Sequence, residues 1–173
     1  MAPSSTPSGA SGRSALALAA RDARQVAMDR WLGTGVTLVT ASLAIPGVEK
    51  APEGAAELMA WAVEALARVL PDARRLGATW DALGPFELWS APGDAKQVKR
   101  RCVALEAASP AARLVDLDVY SPEGTPVDRA ALDLRARACL CCAEPARDCI
   151  RAGRHPGAEV VARALQLLAG FHA

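Results

Sequence analysis

The stretch "RLVDLDVYSPEG", residues 113–124, decides how the chain folds. Val115, Leu117 and Val119 recur at every second position, the period of a strand with one buried face. Leu114, Asp116, Asp118 and Tyr120 share the opposite face. Strands are poor in aspartate, and two anions on one face repel each other, so the pair calls for a reason. A rise of about 3.3 Å per residue separates the two α-carbons by roughly 6.5 Å. Both carboxylates could then converge on one divalent cation or a close pair, as hard cations such as Mg²⁺ require. A strand with one solvated face explains the same alternation, and spacing alone does not choose between the two. "SPEG" turns the chain sharply, with Pro second and Gly fourth.

Outward from this strand, the pattern alternates between helical and extended periods. Ser14 to Leu32 has apolar residues at helical spacing, with Arg21, Asp22, Arg24, Asp29 and Arg30 between them, and Gly33 ends it. "GVTLVTASLAIPG" predicts a strand over about 36–44, closed by Pro46 and Gly47. Pro52 and Glu53 open a helix to about Leu70, with Leu58, Trp61, Ala62, Leu66 and Val69 on its apolar face. "RLGATWDALGPFELWSA", 75–91, reads as a hairpin of two strands. Asp94 is placed to cap a helix from Ala95 to Ala107. A short segment at "DRAALDL" leads into a cysteine-rich stretch, and a last helix runs from Pro156 to Leu168. The expectation is an α+β fold: a single domain over 13–173, a small mixed or antiparallel sheet with packed helices, and a Cys-rich C-terminal segment. Residues 1–12, "MAPSSTPSGASG", read as a flexible tail, not a secretory signal.

Composition narrows the function. The 173 residues are 51% apolar with a net charge of +1, which suits one soluble domain and argues against a nucleic-acid binder. No run of about 18 apolar residues offers a membrane span. The expected location is the cytoplasm, where thiols stay reduced. Arg greatly outnumbers Lys, so forked recognition of phosphate is available. Lys99, Arg100 and Arg101 lie on the helix before the aspartates, and Arg113, Arg135, Arg137 and Arg147 follow. Solvated basic faces account for most of these.

"CLCCAEPARDCIRAGRH" holds Cys139, Cys142, Cys149 and His155 as C-x2-C-x6-C-x5-H. That set is compatible with a four-coordinate structural Zn²⁺ site, with Cys141 as a rival ligand and a metal-free thiol cluster as the alternative. A thioredoxin-like redox pair does not fit the surrounding pattern. "SLAIPGVEK", 42–50, could offer backbone amides and Lys50 to a phosphate, or be simply a turn. The chain has neither a P-loop nor a G-x-G-x-x-G after a strand, which argues against an ordinary ATPase or dinucleotide enzyme.

Several ordered motifs together resemble one family. "ALAARDARQ", "SLAIPGVEK", "ALEAASPAARL", "RLVDLDVYSPEGTPVDRAALDL", the Cys-x-x-Cys segment and "CIRAGRHP" are similar to the holo-acyl-carrier-protein synthases of citrate lyase, the apo-citrate lyase phosphoribosyl-dephospho-CoA transferases. The likeness spans about residues 13–170. It implies a nucleotidyltransferase-like fold and transfer from 2'-(5''-triphosphoribosyl)-3'-dephospho-CoA to a serine of the apo acyl-carrier protein of citrate lyase, its gamma subunit, with release of pyrophosphate. It makes Asp116 and Asp118 the catalytic pair and the ligands of Mg²⁺, a role the Asp-x-Asp pair of the related malonate decarboxylase transferase supports. By position in the matching motifs, Arg21, Arg24, Lys50, Lys99 and Arg113 become phosphate partners of the donor. Three departures stand out: Val48 where the family has a second proline, the extra Cys141, and no Gly-Ser dipeptide before a helix. The alternatives are a zinc-stabilised, non-enzymatic adaptor binding a protein partner, and the malonate decarboxylase counterpart.

Overall fold

The computed structural model describes residues 9–172. It contains helix α1 (Gly9–Asp29), strand β1 (Thr37–Leu43), α2 (Ala55–Val69), β2 (Arg74–Asp81), β3 (Gly84–Ala91), α3 (Ala95–Glu106), β4 (Val115–Tyr120), α4 (Ala146–Ala152) and α5 (Gly157–Ala169). The sheet is antiparallel throughout, in the order β2-β3-β1-β4. The architecture is therefore α+β, and of the two sheet types expected the antiparallel one is observed. Of the expected tail, residues 9–12 belong to the start of α1, and residues 1–8 lie outside the described residues. The helix α4 inside the cysteine-rich stretch has no counterpart in the sequence reading, because seven residues are too few to display a period.

Alternation in β1 and β4 sorts two cores onto the two faces of the sheet. Val39, Ala41 and Leu43 of β1 stand opposite Val119, Leu117 and Val115 of β4. They pack with Leu58, Leu66, Val98, Cys102 and Leu167 from α2, α3 and α5. On the other face Leu38, Phe86 and Leu88 meet Met28 of α1, and Trp31, Leu32 and Tyr120 pack against them. The end of α1 is tied to the end of β4: the Gly35 N–H donates to the Pro122 carbonyl at 3.1 Å. Gly124, at φ 83°, lets this turn close, since a Cβ there would meet the Gly33 nitrogen at 3.1 Å. Helix α3 starts as expected, with Asp94 accepting from the Gln97 N–H at 2.9 Å.

The edge of the sheet is finished by α3. β4 is an edge strand, so Leu117 presents an N–H and a C=O that no neighbouring strand reaches. Lys99 Nζ donates to the Leu117 carbonyl at 2.5 Å, and the Leu117 N–H donates to Glu106 Oε1 at 3.0 Å. Lys99 and Glu106 are seven residues apart, about two helical turns, and so share one face of α3. They are only 6% and 3% exposed. Glu106 also receives Arg129 and Arg137, each at 2.7 Å, so its buried charge is fully partnered.

At the far side of the sheet Arg24 of α1 holds Asp81 through two hydrogen bonds of 2.8 and 2.7 Å, donates to the Gly84 carbonyl and lies over the Phe86 ring. Burial opposes ionisation of Asp81, but the Arg24 hydrogen bond, the Leu83 N–H and the Arg24 charge outweigh it and hold the pKa below the ordinary carboxylate value.

Two outcomes follow from these pairs. Glu106→Ala takes the carboxylate partner from Arg129 and the buried Leu117 N–H and one of two from Arg137, and should cost about 3 kcal/mol in denaturant unfolding. Arg75→Ala removes from the buried Glu87 of β3 the guanidinium that bonds both its oxygens, and should cost about 1–3 kcal/mol, less than Glu106→Ala because Arg75 itself is half exposed. For Asp81 the folded pKa is the lower one, so its stabilisation is present above the unfolded value and lost as pH falls through the folded value. Asp81→Asn should therefore flatten the acid limb of stability against pH.

Candidate active site

β4 carries its two aspartates on the face that α1 leaves uncovered. In register with β1, Asp116 stands opposite Ser42 and Asp118 opposite Thr40, so both carboxylates neighbour hydroxyl side chains and not aliphatic ones. They border a pocket of about 380 Å³. Lys99 and Glu106 lie behind the aspartates, and the chain after the turn, from Pro126 to Ala130 and from Leu134 to Arg137, forms the opposite wall. Arg147 of α4 reaches the same space.

The two carboxylates have different surroundings. Asp116 is half-buried, and its Oδ1 accepts from Arg137 Nη2 at 3.1 Å. The same guanidinium donates to the Val115 carbonyl at 3.1 Å and pairs with Glu106, so it bridges α3 to β4. Asp118 is open to solvent on one side, yet its pKa is raised. Desolvation by the pocket walls is the main cause, the Asp116 charge comes next and Glu106 adds to it, against Lys99 and Arg137. Desolvation and the same two aspartate charges raise Tyr120, which keeps its phenol protonated. The pocket thus gathers carboxylate oxygens with an excess of negative charge at Asp118, ringed by Lys99, Arg129 and Arg137. Carboxylate oxygens are the donor type hard divalent cations take, and the arginines around them are the donor type for anionic phosphates.

The expected phosphate partners separate in space. Lys99 lines the aspartate pocket, although its ammonium is spent on the Leu117 carbonyl. Arg113 leaves that pocket and donates to the Cys139 carbonyl at 2.6 Å. Lys50 closes its own turn by donating to the Ile45 carbonyl at 2.8 Å. Arg24 is committed to Asp81, and Arg21 stands exposed on α1. None of these four lines the aspartate pocket. Glu106, Arg129 and Arg137 take that place. The seven-residue spacing from Lys99 to Glu106 is a signal present in the sequence; nothing local distinguishes Arg137 from the other arginines of the last third.

The cysteine prediction is a matter of geometry, and there the spacing reads correctly. The ligand atoms of Cys139, Cys142, Cys149 and His155 lie within 4.8 Å of one another. Cys142 Sγ is 3.4 Å from Cys149 Sγ and 3.3 Å from His155 Nε2. A tetrahedron with Zn–S of about 2.3 Å has edges of about 3.8 Å, so the set fits a metal such as zinc. Two further details belong to such sites. Backbone N–H groups of Cys141 and Cys142 turn to the Cys139 sulfur. Glu159 lies 3.6 Å from His155 Nδ1, the nitrogen facing away from the sulfurs. Burial pushes the Cys139 thiol up, but those amides and the Cys149 and Cys142 thiols win and hold it below the ordinary value. Burial and the neighbouring thiols push Cys149 well above it, so the four ligands are not alike in their readiness to lose a proton. Cys141, the rival ligand, groups instead with His155 and Glu159.

Comparison with known proteins matches the motifs. The family model described as apo-citrate lyase phosphoribosyl-dephospho-CoA transferase matches residues 15–171. A protein of that name from Citrobacter koseri is 33% identical over 156 residues, covering 87% of this chain and 85% of its own. One from Escherichia coli O1:K1 is 31% identical over the same shares. Protein CitXG of Haemophilus influenzae is 41% identical over 81 residues, 47% of this chain and 17% of that longer protein. With almost its whole length matched and its carboxylate pair and Cys/His cluster each drawn together, the chain belongs to the apo-citrate lyase phosphoribosyl-dephospho-CoA transferase family.

Proposed function

We propose that this protein transfers the 2'-(5''-triphosphoribosyl)-3'-dephospho-CoA group to a serine of the apo acyl-carrier protein of citrate lyase. The serine oxygen attacks the phosphorus next to the ribose, pyrophosphate leaves, and a phosphodiester joins the prosthetic group to the carrier. The observation that carries this reading is the meeting of Asp116, Asp118, Lys99, Arg129 and Arg137 at one pocket, in a chain of this family. The names of the relatives favour the citrate lyase carrier over the malonate decarboxylase one. The transferase domain is taken as one unit over 13–173, with α1 already begun at Gly9, of nucleotidyltransferase-like fold and cytoplasmic location. Among the described residues, no helix is long and apolar enough to cross a membrane.

Asp116 and Asp118 would hold Mg²⁺, which when bound neutralises charge on the triphosphate and the leaving pyrophosphate. Arg137 takes Oδ1 of Asp116 and so orients that carboxylate, leaving Oδ2 outside the hydrogen bond. Arg129 and Arg147 flank the same pocket and supply positive charge for the donor's phosphates. Lys99, held on the Leu117 carbonyl, contributes its field from behind the strand. Arg21, Arg24, Lys50 and Arg113 would contribute to donor binding only beyond this pocket. In the C-terminal segment Cys139, Cys142, Cys149 and His155 would hold a structural Zn²⁺ that crosslinks the loop before α4 to the loop before α5.

Asp116→Asn and Asp118→Asn should each slow transfer by at least about a hundredfold with the circular dichroism spectrum unchanged. Mass spectrometry of the carrier after incubation with the donor measures this, and a full mass shift with either variant would sink the assignment. Purified protein should contain one zinc per chain by elemental analysis. In Cys142→Ala the zinc content should fall well below that, with faster proteolysis within 136–156; unchanged digestion would remove the structural role.

A further inference from the structure

A second cavity adjoins the aspartate pocket, with Arg137 on the border of both. It is a cleft of about 580 Å³ between the loop after β1, the Cys/His knuckle, α4 and α5. Its walls are apolar: Ile45, Pro46, Leu140, Ile150 and Val160 among them, with the charged Arg113 and Arg137 at one side and the His155 ring at the other. The cleft is held open by fixed parts. Gly47, at φ 88°, presses the loop onto α5 so closely that a Cβ would come within 2.9 Å of Val161 Cγ2. Arg113 is fastened to the knuckle through the Cys139 carbonyl, and Arg137 to Glu106 and Asp116. Ile150, 81% exposed, stands at the rim as an apolar side chain with no internal packing role.

We infer that this cleft is the subsite for the dephospho-CoA body of the donor, whose reactive triphosphate end lies at Asp116 and Asp118. The inference rests on the transferase reading above. Its specific support is order along the surface: a carboxylate pocket, then a basic divide at Arg137 and Arg113, then an apolar cleft. The donor has the matching order. Its polyphosphate is hydrophilic and anionic, while dephospho-CoA joins an aromatic base and a largely apolar pantetheine arm through a diphosphate. A volume of about 580 Å³ is in the range of pockets that hold such groups. Arg113, whose bonds to the knuckle both run through Nη2, faces that diphosphate with its remaining donors, while Arg137, with both Nη groups engaged, adds its charge. The apolar residues of the cleft therefore govern donor affinity, not the phosphoryl step.

The test uses the full chain and 3'-dephospho-CoA, which has no triphosphate and so binds without reacting. Calorimetric titration compares wild type with Ile150→Asp, at an exposed position that the fold tolerates, and Ala146→Trp, which fills the cleft. Both should weaken dephospho-CoA at least about tenfold, a loss of about 1.4 kcal/mol. The donor KM should rise with them by more than kcat changes, and the carrier KM should stay put. Asp118→Asn should bind dephospho-CoA like wild type while losing transfer. Wild-type affinity in Ile150→Asp, or a rise in the carrier KM instead of the donor KM, overturns the subsite even though transfer proceeds. If wild type transfers nothing to the carrier, it is the transferase reading that fails; dephospho-CoA titration still decides the cleft.

Discussion

Leu117 offers water or a stray strand one N–H and one C=O, and α3 takes both with Glu106 and Lys99. This contact organises the rest of the site. An unprotected edge strand invites pairing with another chain, and charged side chains are a common way to prevent it. Here the charges come from the same molecule and are buried, which makes them costly unless fully partnered. Glu106 meets that condition by drawing in Arg129 and Arg137, and Arg137 then reaches Asp116. The charge pattern of the pocket is thus a consequence of closing the sheet.

The same chain of contacts binds the C-terminal segment to the sheet. Arg137 is two residues from Cys139, its carbonyl accepts from the Ala146 N–H, and its guanidinium reaches β4. Arg113 runs the other way, from the foot of β4 to the carbonyl of Cys139. The knuckle and the carboxylate pocket therefore share two arginines and a few residues of backbone.

Asp116 and Asp118 illustrate how a repulsive pair can be tolerated. They sit on an edge strand, beside Ser42 and Thr40, beyond the reach of α1's apolar face. Arg137 attends to one of them, while desolvation first and the Asp116 charge second raise the pKa of the other. Sites that keep such unrelieved charge are where function is expected, because a ligand relieves it.

How much of this was legible beforehand depends on the range of the interactions. The period of two in "VDLDV", the caps and turns at Asp94 and "SPEG", and the C-x2-C-x6-C-x5-H spacing all reflect geometry within a few residues, and each is realised in the fold. The sequence by itself determined that Asp116 and Asp118 face one way and which four side chains form the Cys/His cluster. It also held the ordered motifs that mark the family. Only the tertiary structure decided which cations attend the aspartates. Arg24, Lys50 and Arg113 looked available, yet one meets Asp81 across 57 residues, one folds back on its own turn, and one holds the knuckle. Arg129 and Arg137 reach Glu106 because β4 is at the edge and the chain returns beside it. That return depends on strand order, and no local pattern encodes strand order, since pairing between distant segments is set by the packing of the whole core.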